Sequence, residues 1–170
     1  MKRRVVVVEL FAALLLGGCS GGQGIEGAGR HLMTCMGAES LPRLVQAEFK
    51  MAVDAGDVAE AKSVLAKYRA TVAEQKEKLA ALPADPWQST NDCVAAMERL
   101  LEAEETIVAD EMAKIVERMN NGAPSDAQSQ QIAASFAKID ALVAEKVGES
   151  HAAWERLRLE LAAEAAQKPN

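Results

Sequence analysis

Residues 58–82 read VAEAKSVLAKYRATVAEQKEKLAAL and form the most regular segment of the chain. Apolar residues recur there at alternating steps of three and four, which places them on one face of an α-helix. The positions of this seam are Val58, Ala61, Leu65, Tyr68, Val72, Gln75, Leu79 and Leu82. Gln75 is its polar member, and a polar side chain on such a seam more often sets helix register than function. The segment therefore predicts a long helix that packs against other helices.

Turn signals flank this segment on both sides. On its N-terminal side, Gly56 can take the left-handed conformation that ends a helix, and Asp57 with Glu60 forms a capping box for the next one. On its C-terminal side, Asp85 is placed to cap a third helix and Pro86 to occupy its first turn. We therefore expect the chain to reverse direction at both ends of the segment.

The region before it, residues 29–55, also shows an amphipathic face at helical spacing. Pro42 interrupts this pattern, because proline in a helix interior removes a hydrogen bond and bends the helix. Either a short helix precedes a second one, or a single helix is kinked at Pro42. We favour the single kinked helix.

The two regions after the segment are helical as well. The third helix runs to about Asn120, and its apolar seam slips by one step near Glu104 and Glu105. Such a slip predicts that the packing changes at that point. Ser125 with Gln128 then forms a capping box for the fourth helix.

Helices joined by such tight turns must lie antiparallel to their sequence neighbours. The sequence thus predicts an all-α fold, an antiparallel up-down bundle of about four long helices with coiled-coil-like packing. The composition agrees, because aromatic residues make up only 4% of the chain while Ala, Glu, Lys, Leu and Val dominate. We place the bundle domain at residues 30–166 and a frayed tail at 167–170.

Two cysteines of the predicted bundle, Cys35 and Cys93, form a candidate disulfide. A turn at Gly56 sets Cys35 beside residue 77, and the next turn sets residue 77 beside residue 91. Cys93 then lies within about 3 Å of the level of Cys35 along the bundle axis. A disulfide needs Cα atoms within about 7 Å, so this pairing predicts a flattened or rhombic bundle with the first and third helices close. Two buried free thiols are the alternative.

The first 20 residues, MKRRVVVVELFAALLLGGCS, have the pattern of an export signal. Positive residues at 2–4 precede an apolar run at 5–16, which is too short for a relaxed membrane-spanning helix. The run closes with Leu-Gly-Gly-Cys at residues 16–19. This tetrapeptide resembles the lipobox of bacterial lipoproteins.

The lipobox resemblance implies a location in the bacterial cell envelope. It implies that residues 1–18 are a signal peptide removed by signal peptidase II, and that Cys19 receives a diacylglycerol and usually further acylation. Ser20 after the lipidated cysteine implies transfer to the outer membrane, facing the periplasm. Residues 19–29 are Gly-rich and are expected to form the tether between lipid and bundle. Two or more acyl chains suffice for a stable anchor.

Net charge argues against a nucleic-acid partner. Without residues 1–18 the chain has 16 basic and 24 acidic residues, a net charge of −8. Phosphates require basic patches, which an acidic domain does not provide. Anionic lipid headgroups would also repel it, so we expect the acyl anchor to provide the contact with the bilayer.

A haem site is one alternative reading of the bundle. His151 follows Val147 by four residues and could face the core, with Met33 or Met36 as the opposite axial ligand. Cytochrome b562-like bundles use a methionine and a histidine from their first and last helices, and the likeness here is one of architecture only. A core histidine with no ligand role is the commoner case.

Carboxylates crowd the third helix at Glu98, Glu102, Glu104, Glu105, Asp110 and Glu111. Ferritin-like di-metal sites need Glu-x-x-His at two places, and neither histidine of the chain completes one. We therefore expect no metal site and interpret the run as a solvated face.

Catalytic motifs are missing from the sequence. It contains no phosphate-binding Gly-Lys-Ser/Thr loop, no Gly-x-Ser-x-Gly elbow and no His-Glu-x-x-His helix. We expect a non-catalytic bundle that binds or scaffolds another envelope protein, such as part of a secretion apparatus. The alternatives are a carrier of haem or a small ligand, and a periplasmic inhibitor or immunity protein that blocks an incoming toxin.

Overall fold

The computed structural model describes residues 23–85, 87–119 and 125–167. These residues form four helices and no strand, and the helices pack into the all-α bundle that the sequence predicts. Helix α1 spans Gln23–Asp54, α2 spans Val58–Ala80 and α4 spans Asp126–Gln167. Helix α3 has three parts: an α-helical part, Gln88–Ala103, a π-helical turn, Glu104–Val108, and a second α-helical part, Ala109–Met119. The predicted signal peptide at 1–18 and Cys19 lie outside the described residues, as does the tail beyond Gln167.

Capping residues fix the helix boundaries largely as expected. Gly56 has a φ of 69°, the left-handed conformation that ends α1. Asp57 accepts a hydrogen bond from the Glu60 amide at 2.9 Å and starts α2. Ser125 and Gln128 form the reciprocal capping box of α4, with bonds of 2.8 and 3.3 Å. The turn at Gly56 and the Ser125–Gln128 capping box are confirmed, and the Asp57–Glu60 pair shows the amide-to-carboxylate bond of its predicted box.

The start of α3 differs from the prediction. The helix begins at Gln88, after the expected start at Pro86. The reason is that Asp85 makes a turn of its own: its carboxylate accepts from the Trp87 amide at 2.9 Å, and its amide donates to the Asn91 side chain at 3.2 Å. These bonds engage Asp85 and Trp87 before the helix begins at Gln88.

α1 is one continuous helix with Pro42 inside it, so the two-helix alternative is wrong. It begins at Gln23, and residues 23–29 of the predicted tether are therefore helical. The antiparallel register of α1 on α2 follows from the turn at Gly56. Gln46 donates to the Tyr68 hydroxyl at 3.2 Å across this pair.

The bundle is flattened rather than square. α1 packs on α2 and α3 packs on α4, while α1 also contacts α3 across the short diagonal, as predicted from the cysteines. The backbones of α1 and α4 stay farther apart. The largest fully buried side chains are Phe49, Tyr68, Val72, Gln75, Leu79, Met97, Leu100, Leu101, Glu104, Met112, Ile115 and Leu157.

The slip in the seam of α3 is accommodated by its π-helical turn. Steps of four residues from Glu104 to Val108 and from Val108 to Met112 rotate the seam out of register with a regular α-helix. The π-turn takes up the extra residue, and the Ala109 amide donates to the Glu104 carbonyl. Seam residues on both sides of the turn can therefore face the same core.

Candidate functional site

A groove runs between α1 and α4, where the two backbones do not pack closely. Its volume is about 400 Å³. The lining residues are Arg43, Gln46, Ala47, Phe49 and Lys50 of α1, Met112 of α3, and Phe136, Ile139, Asp140, Val143 and Ala144 of α4. The groove therefore has an apolar floor made by three helices and polar groups on its walls.

Aromatic contacts bridge the groove at one end. The rings of Phe49 and Phe136 lie 6.2 Å apart between centroids, at an interplanar angle of 56°. The Lys50 ammonium lies 5.2 Å from the centroid of the Phe136 ring, a cation–π contact. These contacts join α1 to α4 there and leave the groove open along the rest of its length.

The two walls of the groove differ in the sign of their charges. α1 contributes Arg43 and Lys50, and α4 contributes Asp140. Each cation of α1 is paired with a carboxylate of its own helix, Arg43 with Glu39 at 3.5 Å and Lys50 with Asp54 at 3.0 Å. Both members of the Lys50–Asp54 pair are exposed, and such pairs contribute little to stability.

An exposed apolar stripe on α1 borders the groove. Met33, Leu44 and Met51 are 60%, 61% and 64% exposed. Leu44 precedes the groove residue Ala47 by three positions, and Met51 follows Ala47 by four. Leu44, Ala47 and Met51 therefore share one helix face. We call the groove, together with Leu44 and Met51 beside it, the α1/α4 surface. Exposed apolar side chains beside an apolar groove are typical of interaction sites.

Glu104 lies in the π-turn and is fully buried, and neither carboxyl oxygen has a hydrogen-bond partner. Burial raises the pKa of this carboxyl to about 8, with Arg43 acting to lower it and Glu39 to raise it. Burial and the nearby Glu104 raise the pKa of Tyr68 above its usual value. The interior beside α1 and α2 thus contains a carboxyl group in its neutral form at neutral pH.

Glu111 is also buried but has several partners. It accepts from Lys138 at 2.7 Å, from Lys114 at 2.9 Å and from the Ser135 hydroxyl at 3.0 Å. Hydrogen bonds from Lys138 and Lys114 lower the pKa of Glu111 to about 2. The interpretation of the α3 carboxylates as a wholly solvated face is therefore wrong for Glu104 and Glu111.

His31 joins α1 to the loop between α2 and α3. Its Nδ1 lies 2.8 Å from the Gly27 carbonyl oxygen, and its Nε2 lies 2.7 Å from the Pro83 carbonyl oxygen. Asp85 Oδ2 is 3.9 Å from Nδ1. A Cβ added at Gly27 would lie 3.2 Å from that same oxygen, so the absence of a side chain allows the loop to approach α1. The buried His31 ring thus links α1 to the loop between α2 and α3.

The residues of the haem alternative do not line the groove. Met33 and Met36 are exposed on α1, and His151 is 66% exposed and lies 3.5 Å from Glu39. The expectation that His151 faces the core is wrong, because the inward face of α4 passes through Ser150 and Ala153.

Cys35 and Cys93 are both buried, and both are free thiols in this structure. The predicted disulfide is therefore not formed here. Burial, and then the Coulombic effect of Cys93 on the other helix, raise the pKa of Cys35 to about 12.

Metal ligands do not gather in the described part of the chain, where no group of three or more His, Cys, Asp or Glu side chains could hold an ion. No helix in the described ranges combines the length and the apolar character needed to cross a bilayer. Comparisons with protein-family models, with curated proteins and with solved structures return no match for this chain. The α1/α4 surface is thus the feature on which a functional proposal rests.

The sequence analysis did not predict the burial of Glu104 and Glu111 or the contacts of His31. A signal for Glu104 was present, because the three-and-four alternation that reaches Leu101 continues to position 104. No local signal identifies His31, since Pro83 lies 52 residues away in sequence.

Proposed function

We propose that this protein is a lipid-anchored, non-catalytic bundle of the bacterial cell envelope that binds another envelope protein through the α1/α4 surface. The observation that carries the proposal is the apolar groove between α1 and α4 with the exposed Leu44 and Met51 beside it. A bundle with no partner would gain stability by closing this groove, because burial of apolar side chains is favourable.

The partner segment that fits this surface is an amphipathic helix. The groove lies between two antiparallel helices, and its apolar floor suits a helix face with apolar residues at i, i+3, i+4 and i+7. Arg43 and Lys50 lie two turns apart on the α1 wall. Carboxylates at a similar spacing on the partner helix would pair with them in place of Glu39 and Asp54.

The anchor is the second part of the proposal. The lipobox resemblance supports diacylglycerol on Cys19 and an outer-membrane location facing the periplasm. In that oxidising compartment we include a disulfide between Cys35 and Cys93. It would form by exchange with the disulfide of an oxidising partner, which takes up the two electrons while the two thiols lose their protons.

Site-specific photo-cross-linking in intact cells tests the binding surface. A photoreactive residue replaces Leu44 on one side of the groove and, in a second chain, Ala144 on the other. Both positions should yield adducts with the same segment of the same protein, a segment with apolar residues at helical spacing and carboxylates beside them. The control position, Ala73, is exposed on α2 and should give no such adduct. Adducts with unrelated segments, or equal adducts from Ala73, would contradict the proposal.

A further inference from the structure

Glu104 is costly to the bundle as it stands. Its carboxyl group is fully buried with both oxygens unpaired, although nearly all buried polar atoms in proteins have a partner. It also lies in a π-helical turn, a feature that recurs at functional positions. An apolar side chain at this seam position would fill the core without the cost of burying a polar group. The arrangement therefore calls for a role other than packing.

We propose that Glu104 is a proton-operated latch: the π-turn packs against α1 and α2 while the carboxyl holds its proton, and this packing opens when the proton is lost to solvent.

The groups that face Glu104 do not provide for its ionised form. From α1, Arg43 and Glu39 act on it with opposite signs, and these two are paired with each other at 3.5 Å. From α2, Tyr68 is the interacting group, and its hydroxyl accepts from Gln46. None of these side chains donates a hydrogen bond to either Glu104 oxygen. A negative charge at this position would thus be buried without compensation.

Charged side chains of α3 and α4 near Glu104 are paired with groups other than Glu104. Glu105 of the same π-turn is exposed and pairs with Lys76 of α2. The contact of Arg99 with Glu149 sets position 104 of α3 level with residues 144 and 145 of α4. There Lys146 is paired with Glu145 at 3.2 Å and with Glu149 at 2.7 Å. The α4 cation at this level, Lys146, is thus already paired with two carboxylates of its own helix.

The sign of the pH dependence follows from the raised pKa. In the folded chain Glu104 titrates at about 8, against 4.5 for the ordinary side chain. The folded state therefore holds the proton more tightly than the open state. The stability that this proton contributes is present in full below pH 4.5 and is lost as the pH rises toward 8. Opening of the π-turn should become easier over this range.

An ionised Glu104 would also alter the α1/α4 surface. Arg43 is the cation whose charge acts on Glu104, and it lines the groove. Met112, one turn beyond the π-turn, forms part of the groove floor. Recruitment of Arg43 to Glu104, or displacement of Met112, would reshape the surface at which the partner helix binds. This consequence for binding rests on the proposed function, whereas the latch itself does not.

Amide hydrogen exchange on the purified full chain tests the latch. Protection of the backbone around residues 104–112 is measured at pH 6 and pH 9 and corrected for the intrinsic exchange rate at each pH. We expect it to fall by at least 10-fold and up to roughly 100-fold at the higher pH. Glu104→Gln has the shape of the protonated carboxyl but does not titrate, so it should remove the difference in protection between pH 6 and pH 9. Glu102→Gln, at an exposed position of the same helix, should leave it as in the unmodified chain.

Constant protection in the unmodified chain, or the same loss in Glu104→Gln, would overturn the latch. If Glu104→Gln does not fold, a carbon-13 NMR titration of the glutamate carboxyls in the unmodified chain decides. A resonance that titrates near pH 8 supports the latch, and titration of every glutamate near or below its ordinary value overturns it. Neither readout needs a partner. A negative result in the hydrogen-exchange experiment would therefore contradict the latch but not the groove proposal. A negative result in cross-linking from positions 44 and 144 would contradict the groove proposal but not the latch.

Discussion

Glu104 and Glu111 are both buried on the same helix, and their neighbours give them opposite protonation states. Glu111 has two ammonium groups and a hydroxyl within hydrogen-bonding distance, and these stabilise its charge. Glu104 has no donor, so the neutral form is favoured. The difference arises because α4 supplies Lys138 and Ser135 beside Glu111, whereas at the level of Glu104 its charged side chains are paired with one another.

Glu111→Gln should destabilise the bundle in a pH-dependent way. The folded-state pKa of Glu111 is about 2, below the ordinary 4.5, so its charge contributes stability above pH 4.5 that is lost as the pH falls toward 2. Loss of these charge-assisted hydrogen bonds should lower the free energy of unfolding by about 1.5–3 kcal/mol at pH 7. Urea titrations at pH 7 and pH 2.5 measure the change.

The matched control is Glu117→Gln, an exposed position on the same helix, where we expect a change within about 0.5 kcal/mol at either pH. An equal cost of Glu111→Gln at both pH values would show that its charge does not stabilise the fold.

At the scale of the element, glycines mark where a helix could be stronger. Gly148 lies within α4, and a Cβ added there would meet nothing within 4 Å. Alanine is favoured over glycine in a helix interior by roughly 0.5–1 kcal/mol, so Gly148→Ala should raise the free energy of unfolding by that amount. Gly27→Ala should gain less or lose, because its Cβ would crowd the Asp85 carboxylate at 3.2 Å. Equal gains for the two variants in urea titrations would contradict the close approach at Gly27.

The elements themselves were largely predictable from the sequence. Helix ends are set by local chemistry, so the turn at Gly56 and the capping box at Ser125 were readable, and the slip near Glu104 anticipated the π-turn. The exposed position of His151 and the burial of Glu111 depend on helix rotation. A rotation of a few tens of degrees follows from packing between helices, which periodicity alone does not specify.

At the scale of the whole molecule, the groove could not be predicted because it results from how α1 and α4 are held relative to each other. α1 packs on α2 and α3, whereas its backbone does not pack closely on that of α4. Each helix taken alone shows an ordinary amphipathic pattern. The open surface is a property of the assembled bundle.

The proposed attachment to the envelope also concerns the molecule as a whole. Cys19→Ser removes the proposed lipid site, so we expect the protein to leave the membrane fraction or to remain as unprocessed precursor. The matched control is Ser20→Ala, which keeps the cysteine and should keep the protein in the membrane fraction. Unchanged fractionation of Cys19→Ser would contradict the anchor.

The state of the two buried thiols is a related prediction. If export places the chain in an oxidising compartment, Cys35 and Cys93 should resist alkylation in denaturant until a reductant is added, whereas two free thiols would be labelled at once. Mass spectrometry of the alkylated protein distinguishes these results. A bridge that closes so long a loop should also raise stability by about 4 kcal/mol relative to the reduced chain.

The most direct test of the α1/α4 surface is to fill it. Ala47→Trp places a large side chain in the groove, and the yield of partner adduct is then measured from the photoreactive residue at position 144 on the opposite wall. We predict that the yield falls at least 10-fold while helical content and the melting temperature stay close to those of the unmodified chain. An unchanged yield of the same adduct in a folded Ala47→Trp chain would contradict the groove as the binding site.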